Sequence, residues 1–149
     1  MENNSTENKR ILIVDDVEGQ RFILRNIIID MGYQPVLAGS GPQALKVFPR
    51  CNPRLVLLDV AMPEMDGYEV CRILKSNPET SGVPVIFISA FEEVEEILKG
   101  FEAGCTDYVT KPFIPEVVKA RIGVHLKLAE AEERLVGMNG SGGELAGEK

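Results

Sequence analysis

Several things are scarce in this chain, and each scarcity closes a class of function. The three cysteines, Cys51, Cys71 and Cys105, are odd in number, widely spaced and in no Cys-x-x-Cys arrangement. Neither a disulfide framework nor a zinc site fits them, and buried free thiols in a reducing cytoplasm are expected. No apolar stretch approaches the roughly 18–20 residues of a membrane span, and the polar start, Met1 to Lys9, is no secretory signal. A soluble, cytoplasmic protein with no membrane contact follows as the expectation. Basic residues are in deficit, 16 Lys and Arg against 23 Asp and Glu for a formal charge of −7. That balance argues against direct binding to nucleic acid or to an anionic membrane. A Gly-x-Gly-x-x-Gly turn is absent, which removes a nicotinamide-binding fold.

What is present is enough for one domain with tails, since 149 residues at 44% hydrophobic can close one core. Short apolar runs at Ile11–Val14, Pro35–Ala38, Leu55–Leu58, Val85–Ser89 and Tyr108–Thr110 read as strands, each followed by a segment of helical spacing. The first helix shows Phe22, Ile23, Ile27 and Met31 as a buried stripe and stops at Gly32. The second spans about Pro42 to Phe48, the third ends near Asn77-Pro78, and the fourth carries Val94, Ile97, Leu98 and Phe101 and closes at Gly104. The pattern predicts an α/β fold, a doubly wound (βα)5 flavodoxin-like domain with a five-stranded parallel sheet of order 2-1-3-4-5.

The fifth helix outlasts the domain. Its pattern runs from Ile114 to about Met138, whereas a covering helix needs only about 10–14 residues. Val118 and Ile122 suit the sheet, while Val124, Leu128, Ala131, Leu135 and Met138 follow heptad steps of four and three. A helix folded back on its own domain and a parallel two-stranded coiled coil both fit, and the spacing favours the coiled coil and a homodimer. The expected division is therefore an N-terminal tail at 1–9, a domain at 10–126, a helical extension at 127–138 and a flexible tail or linker at 139–149. His125, the only histidine, sits beside this seam and reads as a solvated or packing residue. The run Glu92-Glu93 and Glu95-Glu96 reads as a solvated helix face.

Charged residues stand at the carboxyl ends of three strands: Asp15-Asp16, Asp59 and Lys111. Ligand sites of parallel sheets lie at those ends, so the three should converge. Carboxylates gathered there repel one another unless a hard cation or the nearby ammonium neutralises them, and magnesium is the expected ion. Asp15-Asp16 alone would also serve as the N-cap of helix one; the joint occurrence with Asp59 and Lys111 discriminates. Asp59 enters a loop whose turn calls for Gly67, and a carboxylate placed there can attack phosphorus. Lys111 would supply a second cation to phosphoryl oxygens, and Ser89, ending strand four, a hydroxyl hydrogen bond. A flavodoxin-type electron carrier is disfavoured because Asp15-Asp16-Val17-Glu18 would repel a bound phosphate. A haloacid-dehalogenase-type phosphatase would need an acid where Ala61 stands.

From about Lys9 to Leu126 the chain resembles the receiver domain of two-component response regulators. The resemblance rests on Ile-Leu-Ile-Val-Asp15-Asp16, Leu-Leu-Asp59-Val-Ala-Met-Pro-Glu-Met-Asp-Gly, Phe-Ile-Ser89-Ala90, Gly100-Phe101-Glu102-Ala103-Gly104 and Asp-Tyr108-Val-Thr-Lys111-Pro112-Phe113, all in order. It implies a phosphoacceptor signalling domain, an enzyme only toward its own phosphorylation and slow autodephosphorylation. By this resemblance Asp59 takes phosphate from a histidine kinase, a phosphotransfer protein or a small phosphodonor. Magnesium would sit on Asp15, Asp16, Asp59 and the Ala61 carbonyl, Lys111 would contact the phosphoryl group, and the Lys111-Pro112 bond would be cis. Ser89 and Tyr108 would form the switch pair, altering the face of helix four, strand five and helix five. It also implies an output domain absent from this chain. A receiver fold that dimerises without being phosphorylated is the competing reading, and the intact acid, hydroxyl and lysine set argues against it.

Overall fold

The computed structural model describes residues 8–147, with side chains through Val136, so the tail expected at 1–9 falls largely outside the described residues. Five strands, β1 (Arg10–Val14), β2 (Gln34–Ala38), β3 (Leu55–Leu58), β4 (Val85–Ser89) and β5 (Asp107–Thr110), alternate with helices α1 (Glu18–Asp30), α2 (Gly41–Cys51), α3 (Gly67–Ser76), α4 (Val94–Glu102) and α5 (Pro115–Gly147). All neighbouring strands are parallel, in the order β2-β1-β3-β4-β5. Because side chains alternate across a strand, the continuous apolar runs supply two cores. Leu12, Val14, Val56, Leu58 and Phe87 face α2 and α3 with the inner edge of α4, and Ile11, Ile13, Leu55, Leu57 and Ile86 face α1 and α5. Among the described residues no helix is long and apolar enough to cross a membrane.

The phase of α1 differs from expectation. Leu24, Ile27 and Ile28 are buried, Met31 is half-buried, and Phe22 and Ile23 are exposed, 58% and 46%. The helix is apolar on more than one face, so its spacing allows two phases and only the sheet selects one. The second helix continues through Pro49 to Cys51, ending on Asn52 in the left-handed region (φ 47°). Around α4, Glu96 departs from the solvated acidic face: it is half-buried while Glu92, Glu93 and Glu95 are exposed. The three cysteines are free and buried, and burial pushes the Cys71 thiol up to about 11 and that of Cys105 to about 12.

Helix α5 buries Val118, Ile122 and Leu126 at steps of four, against the sheet and α1. It takes in the whole expected extension and carries helical backbone on into the 139–149 segment. Val124, Leu128 and Leu135 are 53–55% exposed and Ala131 is half-buried, while Met138 lies outside the described side chains. At the foot of the sheet the nearly buried Arg54 guanidinium reaches Glu130 and Glu133 of α5, each at 3.7 Å. These partners are more than seventy residues apart in the chain, a pairing no local pattern announces.

Candidate functional site

Strand register builds the site. Val14 pairs with Leu58, Leu58 with Phe87, and Ser89 with Thr110, so Asp15, Asp59, Ser89 and Lys111 emerge at one end of the sheet. The ladder extends past the strands: the Asp59 amide donates to the Val14 carbonyl (2.9 Å) and the Lys111 amide to the Ser89 carbonyl (2.7 Å). Strand β5 is not beside β3, so Lys111 reaches across the end of β4. Its Nζ lies 3.3 Å from Asp15 Oδ2 and 3.4 Å from Asp59 Oδ1.

One carboxylate oxygen from each of Asp15, Asp16 and Asp59 lies within 4.8 Å of the others. Asp15 and Asp59 are 1% and 6% exposed, and Asp16 is open to solvent. Neither Asp15 nor Asp16 caps α1, because the N-cap is Val17, without a side-chain cap. Asp15 Oδ1 instead accepts from the Val17 amide (2.9 Å), which fixes the rotamer that turns Oδ2 toward Lys111. Burial, then the Asp15 charge, pushes the Asp59 carboxyl up to about 6, with Lys111 pulling it down and Asp16 adding to the rise. Three acids against one lysine leave a net negative pocket of hard oxygen donors. Their spacing suits a small divalent cation that keeps part of its water, so the donor set fits magnesium.

Beyond Asp59 the backbone turns through an exposed Ala61 and through Glu64, whose φ of 71° is left-handed. Gly67 is required here by proximity and not by φ: a Cβ would stand 2.3 Å from the Asp59 carbonyl oxygen. Asp66 caps α3, its Oδ1 accepting from the Glu69 amide at 2.9 Å.

Ser89 is 1% exposed, and its Oγ accepts from the Phe91 amide (3.0 Å), which leaves the hydroxyl proton free to donate. Tyr108 is turned inward, its hydroxyl donating to the Phe91 carbonyl (3.2 Å). The backbone of Phe91 thus joins the two residues, a link invisible in the sequence because it involves no side chain of its own. Gly100 of α4 makes room for this ring, since a Cβ there would meet Phe87 and Tyr108 at 3.1 Å. The Lys111–Pro112 peptide is cis.

His125 lies away from the crevice with Arg121, both on Asp107 at the start of β5: Nε2 is 3.0 Å from Asp107 Oδ2, and the Arg121 guanidinium donates to Oδ1 at 2.9 Å. Burial alone would raise the Asp107 carboxyl, but hydrogen bonds from His125, the Tyr108 amide and Arg121 hold it below its ordinary value.

The family model of the response regulator receiver domain matches residues 11–123. Over 136 residues the chain is 41% identical to the "Probable transcriptional regulator ycf27" of Pyropia yezoensis, covering 91% of this chain and 55% of that one. It is 37% identical over 127 residues to the "DNA-binding response regulator MtrA" of Mycolicibacterium smegmatis, covering 85% and 54%. The chain thus spans about half the length of these curated relatives. Among solved structures, the response regulator receiver domain protein (CheY-like) of Methanospirillum hungatei JF-1 superposes with a TM-score of 0.77 at 27% identity, covering 83% of this chain and 98% of that one.

Proposed function

We propose that this chain, which belongs to the response regulator receiver domain family of two-component signalling, accepts a phosphoryl group on Asp59 and passes the signal to the geometry of a dimer. The observation that carries the reading is Lys111 Nζ poised between Asp15 and Asp59, 3.3 and 3.4 Å away, beside a third carboxylate. A lone acid cluster needs no such lysine; a site for a transferring phosphoryl group needs a cation on its equatorial oxygens.

The donor is a phosphohistidine of a kinase or phosphotransfer protein, or a small acyl phosphate. An Asp59 carboxylate oxygen attacks phosphorus, the bond to the donor atom breaks, and the electron pair leaves with the donor. Although burial raises Asp59 to about 6, it is largely ionised at pH 7 and so nucleophilic. Lys111 neutralises charge on the transferring group, and Ser89 has a proton to donate to one of its oxygens. Asp15, Asp16, Asp59 and the Ala61 carbonyl would hold magnesium, which supplies charge neutralisation at the same oxygens.

The output is the α5 extension. Val124, Leu128 and Leu135 are exposed at heptad spacing, with Ala131 between them, and the occupant we assign to this stripe is the same stripe of a second copy. An output domain beyond this segment would receive the change, and a cytoplasmic setting suits the three free thiols and the kinase.

Light scattering with and without magnesium beryllofluoride, which stands in for the phosphoryl group, tests both parts. A change of mass or shape in the wild type, absent in Asp59→Asn and blocked by Leu128→Asp, supports them. No response of the wild type to beryllofluoride refutes the phosphoacceptor reading, and a response without a change of mass or shape refutes the dimer.

A further inference from the structure

Two tyrosines lie behind the phosphoacceptor. Tyr68 opens α3 directly after Gly67, and its buried ring stands edge-on to Phe87 at 5.5 Å, while Tyr108 packs edge-on to the same Phe87 at 6.0 Å. The Tyr68 hydroxyl lies 2.9 Å from the Glu96 carbonyl oxygen and 2.8 Å from Glu96 Oε1, so its one proton is shared between two acceptors on α4. Lys99 closes over this contact, its ammonium 5.3 Å from the Tyr68 ring centroid and 3.9 Å from Glu96 Oε2.

This grip matters because α4 has little else. Gly100 is its only fully buried residue and Ile97 its only apolar side chain packed, half-buried, on the core, while Val94, Leu98 and Phe101 face solvent. An element with so little buried apolar surface opens locally at low cost, and one hydrogen bond is then a large part of what holds it. The other end of the tether is firm. The Gly67 amide donates to the Val60 carbonyl at 2.8 Å, and α3 begins so close to the Asp59 carbonyl that only glycine fits.

We propose that Tyr68 is a positioning residue that ties α4 to the Asp59 strand end, holding Gly100 against the inward ring of Tyr108. This second connection bypasses Ser89 and meets the switch pair only at the Tyr108 ring. It rests on the phosphoacceptor reading of Asp59 for its signalling consequence, but not for the tether itself.

The test uses the full chain and Tyr68→Phe, which keeps the ring and removes only the hydroxyl. Amide hydrogen exchange over Val94–Glu102 should quicken about three- to tenfold, the worth of one hydrogen bond, with exchange in β1 and β3 unchanged. The affinity for beryllofluoride at saturating magnesium should fall by a similar factor. Unchanged α4 exchange overturns the tether, as does an equal quickening in β1 and β3, which would mean general destabilisation. Faster α4 exchange with unaltered affinity overturns the link to Asp59. If the wild type binds no beryllofluoride, the phosphoacceptor reading and that link fail together, and the exchange arm alone decides the tether.

Discussion

Replacing Asp59 by asparagine should make the metal-free protein more stable. The carboxyl ionises at about 6 in the folded chain against 3.8 for an unperturbed one, because it is buried beside Asp15. Between those values the native state binds more protons than the unfolded state, so stability falls as pH rises through the window and stays lower above it. The difference corresponds to about 3 kcal/mol of lost stability at neutral pH. Asparagine carries no charge to desolvate but makes a weaker contact with Lys111, so a net gain of about 1–3 kcal/mol is expected. For a domain of this size that is roughly 3–10 °C in melting temperature. Thermal unfolding of both proteins in chelator at pH 7.5 reads it directly. At pH 5 the wild type is mostly protonated at this site, and the gain should shrink to about half. A variant less stable than wild type at pH 7.5, or a gain identical at both pH values, would refute the electrostatic account. Magnesium should close or overturn this gap, stabilising wild type by about 2.7 kcal/mol at a hundredfold excess over its dissociation constant, and the variant far less.

Asp15→Asn should lose most of that magnesium-dependent rise in melting temperature, and retention of the full rise would remove Asp15 from the metal shell. Gly67→Ala should destabilise by about 2–3 kcal/mol or more in urea unfolding, because the added carbon collides with backbone at Asp59 that cannot give way. Arg54→Ala should cost only about 1 kcal/mol yet quicken amide exchange over Lys127–Val136, since Glu133 is exposed and Glu130 half-buried; unaltered exchange would show that Arg54 does not hold the extension. Phe91, two residues beyond Ser89, and Ala61, two beyond Asp59, offer no polar group to orient an attacking water. Phospho-Asp59 should therefore be long-lived in magnesium, and a half-life of a few seconds by phosphate release would overturn that.

The strands were legible because a parallel sheet buries both faces, which leaves uninterrupted apolar runs, and the order 2-1-3-4-5 followed from crossover handedness. The convergence of Asp15, Asp16, Asp59 and Lys111 was legible for a related reason: charge at the end of an apolar run stands out. The facing of α1 was not, since Phe22, Ile23, Leu24, Ile27 and Ile28 offer more than one apolar phase, and neither was the inward half of Glu96, whose partner Tyr68 lies on another helix. The sequence by itself determined which groups meet at the carboxyl ends of the strands, because a strand's end is a property of its own residues. Only the tertiary structure decided what those groups lean on: the Phe91 backbone shared by Ser89 and Tyr108, the Tyr68 grip on α4, and Arg54 under the extension. Each of these is a contact between segments distant in the chain or through backbone, where side-chain identity carries no periodic signal, and only packing against the sheet brings the partners within reach.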